Sequence, residues 1–198
     1  DAMPDGWGER LLRRTRKGEL TPIQLLLLSP NEDRAGNIMA GEDRTPRPGI
    51  GERPVKMLEA KGLDHFIDIC AAIYDSQLSA EQLEALRIRD QRSAVGGARP
   101  KRTYRFDQKL ILAKPRDKFD HYDLPKFEYA TKGMSVARTA LHQSEKGNTL
   151  LVERFDREWS ENDARFRRIP MMSGLTLLDA EWQVQRNNGW IYAALADE

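Results

Sequence analysis

Apolar residues recur at three- and four-residue steps at Leu63, Phe66, Ile67, Cys70, Ile73 and Tyr74. That spacing draws one stripe along a helix and predicts an amphipathic helix over 62–77. A shorter stripe at Trp7, Leu11 and Leu12 predicts a helix over 3–16, with Pro4 at its first position, Asp5 in its first turn and Gly18 as its stop. Arg10, Arg13, Arg14 and Arg16 fall on the polar side of that helix, as a solvated face or as a contact for an acidic partner or DNA. Thr21 as cap and Pro22 as first residue predict a short buried helix carrying 23–28. Ser79 and Gln82 make a capping box for another short helix ending near Leu86.

Further on, the pattern shortens to strand-like runs. Residues 103–106 and 109–114 read as two strands joined at Asp107-Gln108. Residues 136–141 and 149–155 read as a hairpin with Lys146-Gly147-Asn148 at its tip. Residues 166–169 form one more strand, and 33–39 read as a turn into a short strand. Helices are expected over 125–132, from Ser173 to Leu178, and over 182–195. The proline- and glycine-rich 42–54 reads as an exposed loop. Helices packed on an antiparallel sheet make an α+β fold.

Composition narrows the function classes. A chain of 198 residues holds one or two domains. Lys+Arg number 32 and Asp+Glu 31, so no global basic field announces nucleic acid or a membrane surface. No apolar run approaches the roughly 20 residues of a membrane span. No signal peptide is recognisable, and cytoplasm is the expected compartment. The chain opens without Met, which reads as a start inside a domain. Cys70 stands alone, so neither an internal disulfide nor a cysteine zinc site is possible, and it reads as a small core residue. His65, His121 and His142 are scattered and support neither a metal site nor a histidine-centred triad.

The candidate chemistry begins at 91–101, Gln-Arg-Ser-Ala-Val-Gly-Gly-Ala-Arg-Pro-Lys. Gly96 and Gly97 permit positive φ and close backbone approach. Bare N–H groups and a lysine suit a phosphate. The spacing is neither G-x-x-x-x-G-K-[ST] nor G-x-G-x-x-G, and an ordinary surface turn has the same composition. Downstream, a strand ends at Lys114, Glu128 follows in a helical stretch, and 149–152 runs into Glu153-Arg154-Phe155-Asp156-Arg157. A glycine loop, a strand lysine, a helix glutamate and a strand ending at a hinge is the order of a kinase small lobe.

At these residues the chain resembles the HipA family of bacterial toxin kinases. The matching pieces are 3–12 (Met-Pro-Asp-Gly-Trp-Gly-Glu-Arg-Leu-Leu), 96–101, Ala113-Lys114, Glu128-Tyr129-Ala130, 152–157 and 173–178, in order over most of the chain. The resemblance implies that Gly96, Gly97 and Ala98 offer amides to ATP phosphates. Arg99, Pro100 and Lys101 would close that loop against the nucleotide. Lys114 would reach the α- and β-phosphates. Glu128 would hold Lys114 or be an ordinary surface glutamate. Glu153, Arg154 and Phe155 would read adenine through backbone groups, with Asp156 and Arg157 as a structural ion pair.

The family carries an autophosphorylated serine directly before the apolar loop residue. Here Ala94 precedes Val95, and Ser93 is the displaced candidate. The stretch after Glu128 is shorter than the family pattern. No metal ligand or catalytic residue is expected within the chain, and the large lobe with its catalytic Asp and Mg2+ ligands is expected beyond Glu198. The implied domains are 1–60, part of the N-terminal subdomain; 61–92, a helical connection; 93–170, the ATP-binding small lobe; and 171–198, the start of the connection to the large lobe.

The implied activity is a serine/threonine kinase using ATP and Mg2+. Its substrate would be a protein, such as an aminoacyl-tRNA synthetase. Its partner would be a HipB-like antitoxin, with DNA reached only through that antitoxin and no membrane. The rival from another class is a non-catalytic interaction module that binds an antitoxin or a separate kinase lobe. A nucleic-acid-binding domain built on 10–16 and 101–105 is a third reading.

Overall fold

The structure, a computed structural model, describes residues 3–4, 6–15, 19–41, 58–74, 94–97, 99–115, 136–145 and 147–178. The expected loop at 42–54 and the helices expected over 79–86, 125–132 and 182–195 lie outside those residues, as do Ser93, Ala98 and Glu128. Helices α1 (Gly6–Thr15), α2 (Pro22–Leu28) and α3 (Ala60–Tyr74) come first, with a 3-10 turn at Asn31–Asp33 between α2 and α3. Strands β1 (Arg102–Phe106), β2 (Lys109–Pro115), β3 (Thr139–His142), β4 (Thr149–Glu153), β5 (Arg157–Ser160) and β6 (Arg165–Arg168) follow, then the one-turn helix α4 (Gly174–Leu177). The first four strands form an antiparallel sheet in the order β1-β2-β4-β3, and β5 pairs with β6. The fold is α+β, as the pattern predicts.

Asp107, at φ 53, turns β1 into β2, a conformation that Asp tolerates better than most residues. The register sets Tyr104 opposite Ile111 and Ala113 opposite Leu151. Strand alternation then puts Tyr104, Ala113 and Leu151 on one face. That face meets α1 and α3 in a core that includes Trp7, Leu11, Leu63, Phe66, Ile67, Ile69 and Cys70. The stripe at Leu63, Phe66, Ile67 and Cys70 is buried as its period predicts, and Ile69 widens it. Phe66 meets Tyr104 edge-to-face at 6.4 Å. Burial pushes the Tyr104 hydroxyl up to about 12. It likewise raises the Cys70 thiol well above its ordinary value, which leaves that cysteine an inert core residue.

The opposite face carries Thr103, Leu112, Lys114 and Leu150. The β5–β6 hairpin is braced by Trp159 against Phe166, edge-to-face at 5.1 Å. The Arg105 guanidinium lies 5.0 Å from the Trp159 ring and fastens the hairpin to β1.

Three expectations are corrected. Helix α2 has the capping box of Thr21 and Gln24, with the Thr21 hydroxyl accepting the Gln24 N–H at 3.3 Å. It is not a buried helix, however: only Leu25 is enclosed, and Ile23 is 69% exposed. The strand expected after the turn at 33–36 is not formed. The Asn31 side-chain amide instead pairs with both the N–H and the C=O of Ala40, at 2.9 and 2.8 Å, and takes the place of a strand partner. Strand β5 was not expected, because its buried positions are Arg157 and Ser160.

Candidate functional site

The glycine loop is held from beneath. Lys101 is 4% exposed, and its ammonium donates to the carbonyls of Gly96 and Gly97 at 2.5 and 2.8 Å. The Trp7 N–H, from α1, also donates to the Gly97 carbonyl at 3.0 Å. Because a peptide is planar and trans, a Gly96 carbonyl turned to Lys101 turns the Gly97 N–H the other way. Lys101 therefore acts as a strut inside the loop, where the resemblance placed it against a nucleotide.

Gly97 sits at φ +100, and a Cβ there would lie 2.9 Å from the Lys101 ammonium. Gly97→Ala should cost about 1–3 kcal/mol through the backbone alone. Urea denaturation checks it, and an unchanged midpoint would mean that the loop is not constrained.

Lys114 lies half-buried on β2, and among the described residues it forms no ion pair. Burial lowers its pKa, and the positive charge of Arg99 lowers it further. An ammonium held near a second cation on a partly desolvated strand is a place where an anion relieves electrostatic cost.

In the segment after β4, the Arg154 side chain turns inward and Phe155 outward. The Arg154 N–H donates to the Leu110 carbonyl at 2.8 Å, and Phe155 is 63% exposed. The buried Arg154 guanidinium forks onto Asp156, with Nε to Oδ1 at 2.8 Å and Nη2 to Oδ2 at 2.7 Å. Its Nη1 donates to Asp33 Oδ1 at 3.1 Å and to the Thr103 hydroxyl at 3.1 Å. Arg157 Nη1 reaches Asp156 Oδ2 at 2.7 Å, the ion pair expected from the sequence. Gly36 closes the group by donating its N–H to Asp156 Oδ2 at 3.0 Å.

Burial opposes charge on Arg154, but the hydrogen bond to Asp156 and the carboxylates of Asp33 and Asp156 outweigh it and raise its pKa. Burial also opposes ionisation of Asp156. The hydrogen bond from Arg154 and the charges of Arg154 and Arg157 overcome that and lower its pKa. Sequence reasoning missed Asp33 altogether. Its partners are 61, 70 and 121 residues away, and nothing local signals them.

The basic stretch 101–105 is largely engaged within the fold. Lys101, Thr103 and Tyr104 are buried, Arg102 lies over the Tyr104 ring at 5.4 Å, and Arg105 over Trp159. A cleft of about 540 Å³ opens beside Gly96, walled by Met3, Leu20, Leu25, Met171 and Met172. Neither Lys101 nor Lys114 lines it.

The glycine loop and the strands after it also match a known family model, the HipA-like C-terminal domain, over residues 93–197. The match covers more than half of the 198 residues. The chain belongs to the HipA family. No curated protein matches it. In this HipA-family chain the six strands among the described residues fall within the matched stretch, whereas α1, α2, Asp33 and α3 precede it. Among the described residues no helix is long and apolar enough to cross a membrane.

Proposed function

We propose that this chain supplies the ATP-binding small lobe of a HipA-like serine/threonine kinase, the toxin of a toxin–antitoxin pair. The observation that carries the reading is Lys114. It is half-buried, sits beside Arg99, and lies on the strand pair that follows the glycine loop within the family-matched stretch. Two observations support a nucleotide: Lys114 is half-buried and feels the positive charge of Arg99, and the loop's own lysine is engaged with the glycine carbonyls.

ATP supplies the transferable γ-phosphoryl group. Lys114 would neutralise the α- and β-phosphates, and the glycine loop would approach them with its backbone. The backbone of Glu153, Arg154 and Phe155 would read the adenine edge through its carbonyls and the Phe155 N–H, since the Glu153 and Arg154 N–H groups are already donated to the carbonyls of Arg138 and Leu110. Mg2+ and a catalytic aspartate complete phosphoryl transfer, and this reading assigns neither to the residues described. A protein substrate such as an aminoacyl-tRNA synthetase and a HipB-like antitoxin that carries the DNA contact belong to the same proposal.

Amine-directed acylation near pH 9 tests it. A lowered pKa makes Lys114 more reactive than surface lysines, and Mg-ATP should suppress its labelling by restoring charge to the ammonium. Labelling of Lys114 unaffected by Mg-ATP would remove it from the site. It would favour the second reading, an interaction module, for which the exposed Met3, Met171 and Met172 around the cleft offer an adaptable apolar surface.

A further inference from the structure

Asp33 is 6% exposed and belongs to a turn that precedes the family-matched domain. Its Oδ2 accepts the Ala94 N–H at 3.2 Å, at the head of the glycine loop. Its Oδ1 accepts the Thr103 hydroxyl, just past the loop's end, and Arg154 Nη1 at 3.1 Å, at the β4–β5 junction. The Asp33 backbone carbonyl accepts the same Arg154 nitrogen at 3.0 Å. One buried carboxylate thus ties both ends of the loop to the segment that ends β4.

A loop with adjacent glycines loses much backbone entropy when it is ordered. Fixing its ends before a ligand arrives removes part of that cost from binding. Hydrogen bonds to a buried carboxylate, one of them from a guanidinium, are strong enough to do so.

The geometry points to Asp33 as a positioning residue that sets the glycine loop against the β4–β5 junction and so tunes how tightly Mg-ATP is held. Naming ATP rests on the nucleotide-site reading above; naming the anchored segments does not.

The test compares Asp33→Ala with Leu63→Ala, a core variant on the other face of the sheet, in the full chain. Hydrogen exchange is read by mass spectrometry and Mg-ATP affinity by titration. Asp33→Ala should speed exchange across 94–103 and 153–157 by about tenfold or more relative to Leu63→Ala, at matched global stability. It should weaken Mg-ATP by a similar factor, while Leu63→Ala leaves the affinity unchanged. Thr103→Val keeps the β-branched shape and removes one donor, so it should loosen the same segments less. It serves as the test if Asp33→Ala does not fold.

Uniform exchange changes, or unaltered Mg-ATP affinity in Asp33→Ala, would overturn the assignment. Absence of Mg-ATP binding by the unaltered protein would defeat the nucleotide reading. Selective loosening of 94–103 would still uphold Asp33 as the loop's anchor.

Discussion

Asp156→Ala should lower stability by about 3–5 kcal/mol, the cost of breaking a buried ion pair from one side. Asp156 is the only acidic group shared by Arg154 and Arg157 among the described ion pairs, and it also accepts the Gly36 N–H. Its removal leaves two guanidinium groups that are 8% and 9% exposed, with Asp33 as the remaining acid on Arg154. Arg157 is already pushed down to about 10, by burial first and then by the charge of Arg154, and Asp156 is the largest influence opposing that.

The pH dependence follows in sign. The folded pKa of Asp156 lies below its unfolded value of about 3.9. Its contribution is therefore complete above that range and is lost as pH falls through the folded value. Urea midpoints should decline below about pH 4 in the unaltered protein. The decline should be shallower in Asp156→Ala. Equal midpoints at pH 7 would mean that the network adds nothing net.

Lys114→Met should separate binding from folding. The Lys114 pKa lies below the ordinary 10.5 because burial, and then Arg99, disfavour its charge. The fold carries that cost at neutral pH, and the cost fades as pH rises toward 10.5. An isosteric apolar side chain removes it, so the melting temperature should equal or exceed that of the unaltered protein. Mg-ATP affinity should nonetheless drop at least tenfold, about 1.4 kcal/mol or more. A variant that loses stability and keeps affinity would mark Lys114 as a structural residue.

Elements built on apolar periodicity were legible. The α3 stripe, the two-residue turn at Asp107-Gln108 and the β3–β4 hairpin all rest on local signals, and each is present. What escaped was held by polar groups. Strand β5 buries Arg157 because Asp156 waits beside it, an inversion of the usual inward apolar pattern. Residues 37–40 looked like a strand, but the N–H and C=O of Ala40 are taken by Asn31, a side chain whose reach no propensity encodes.

Within the candidate site, the glycines and Lys114 could be picked out by type and order. The resemblance set Lys101 at the loop's end beside a nucleotide; its burial against two glycine carbonyls, next to the Trp7 N–H on Gly97, has no local mark in the sequence. Asp33 had no local mark, since its significance lies wholly in partners distant along the chain.

Calorimetric titration of Mg-ATP into the unaltered chain and into Lys114→Met tests the central claim most directly. Saturable single-site binding to the first and its loss in an equally folded second is the predicted result. No heat of binding at millimolar nucleotide, or identical isotherms for the two proteins, would contradict the nucleotide site.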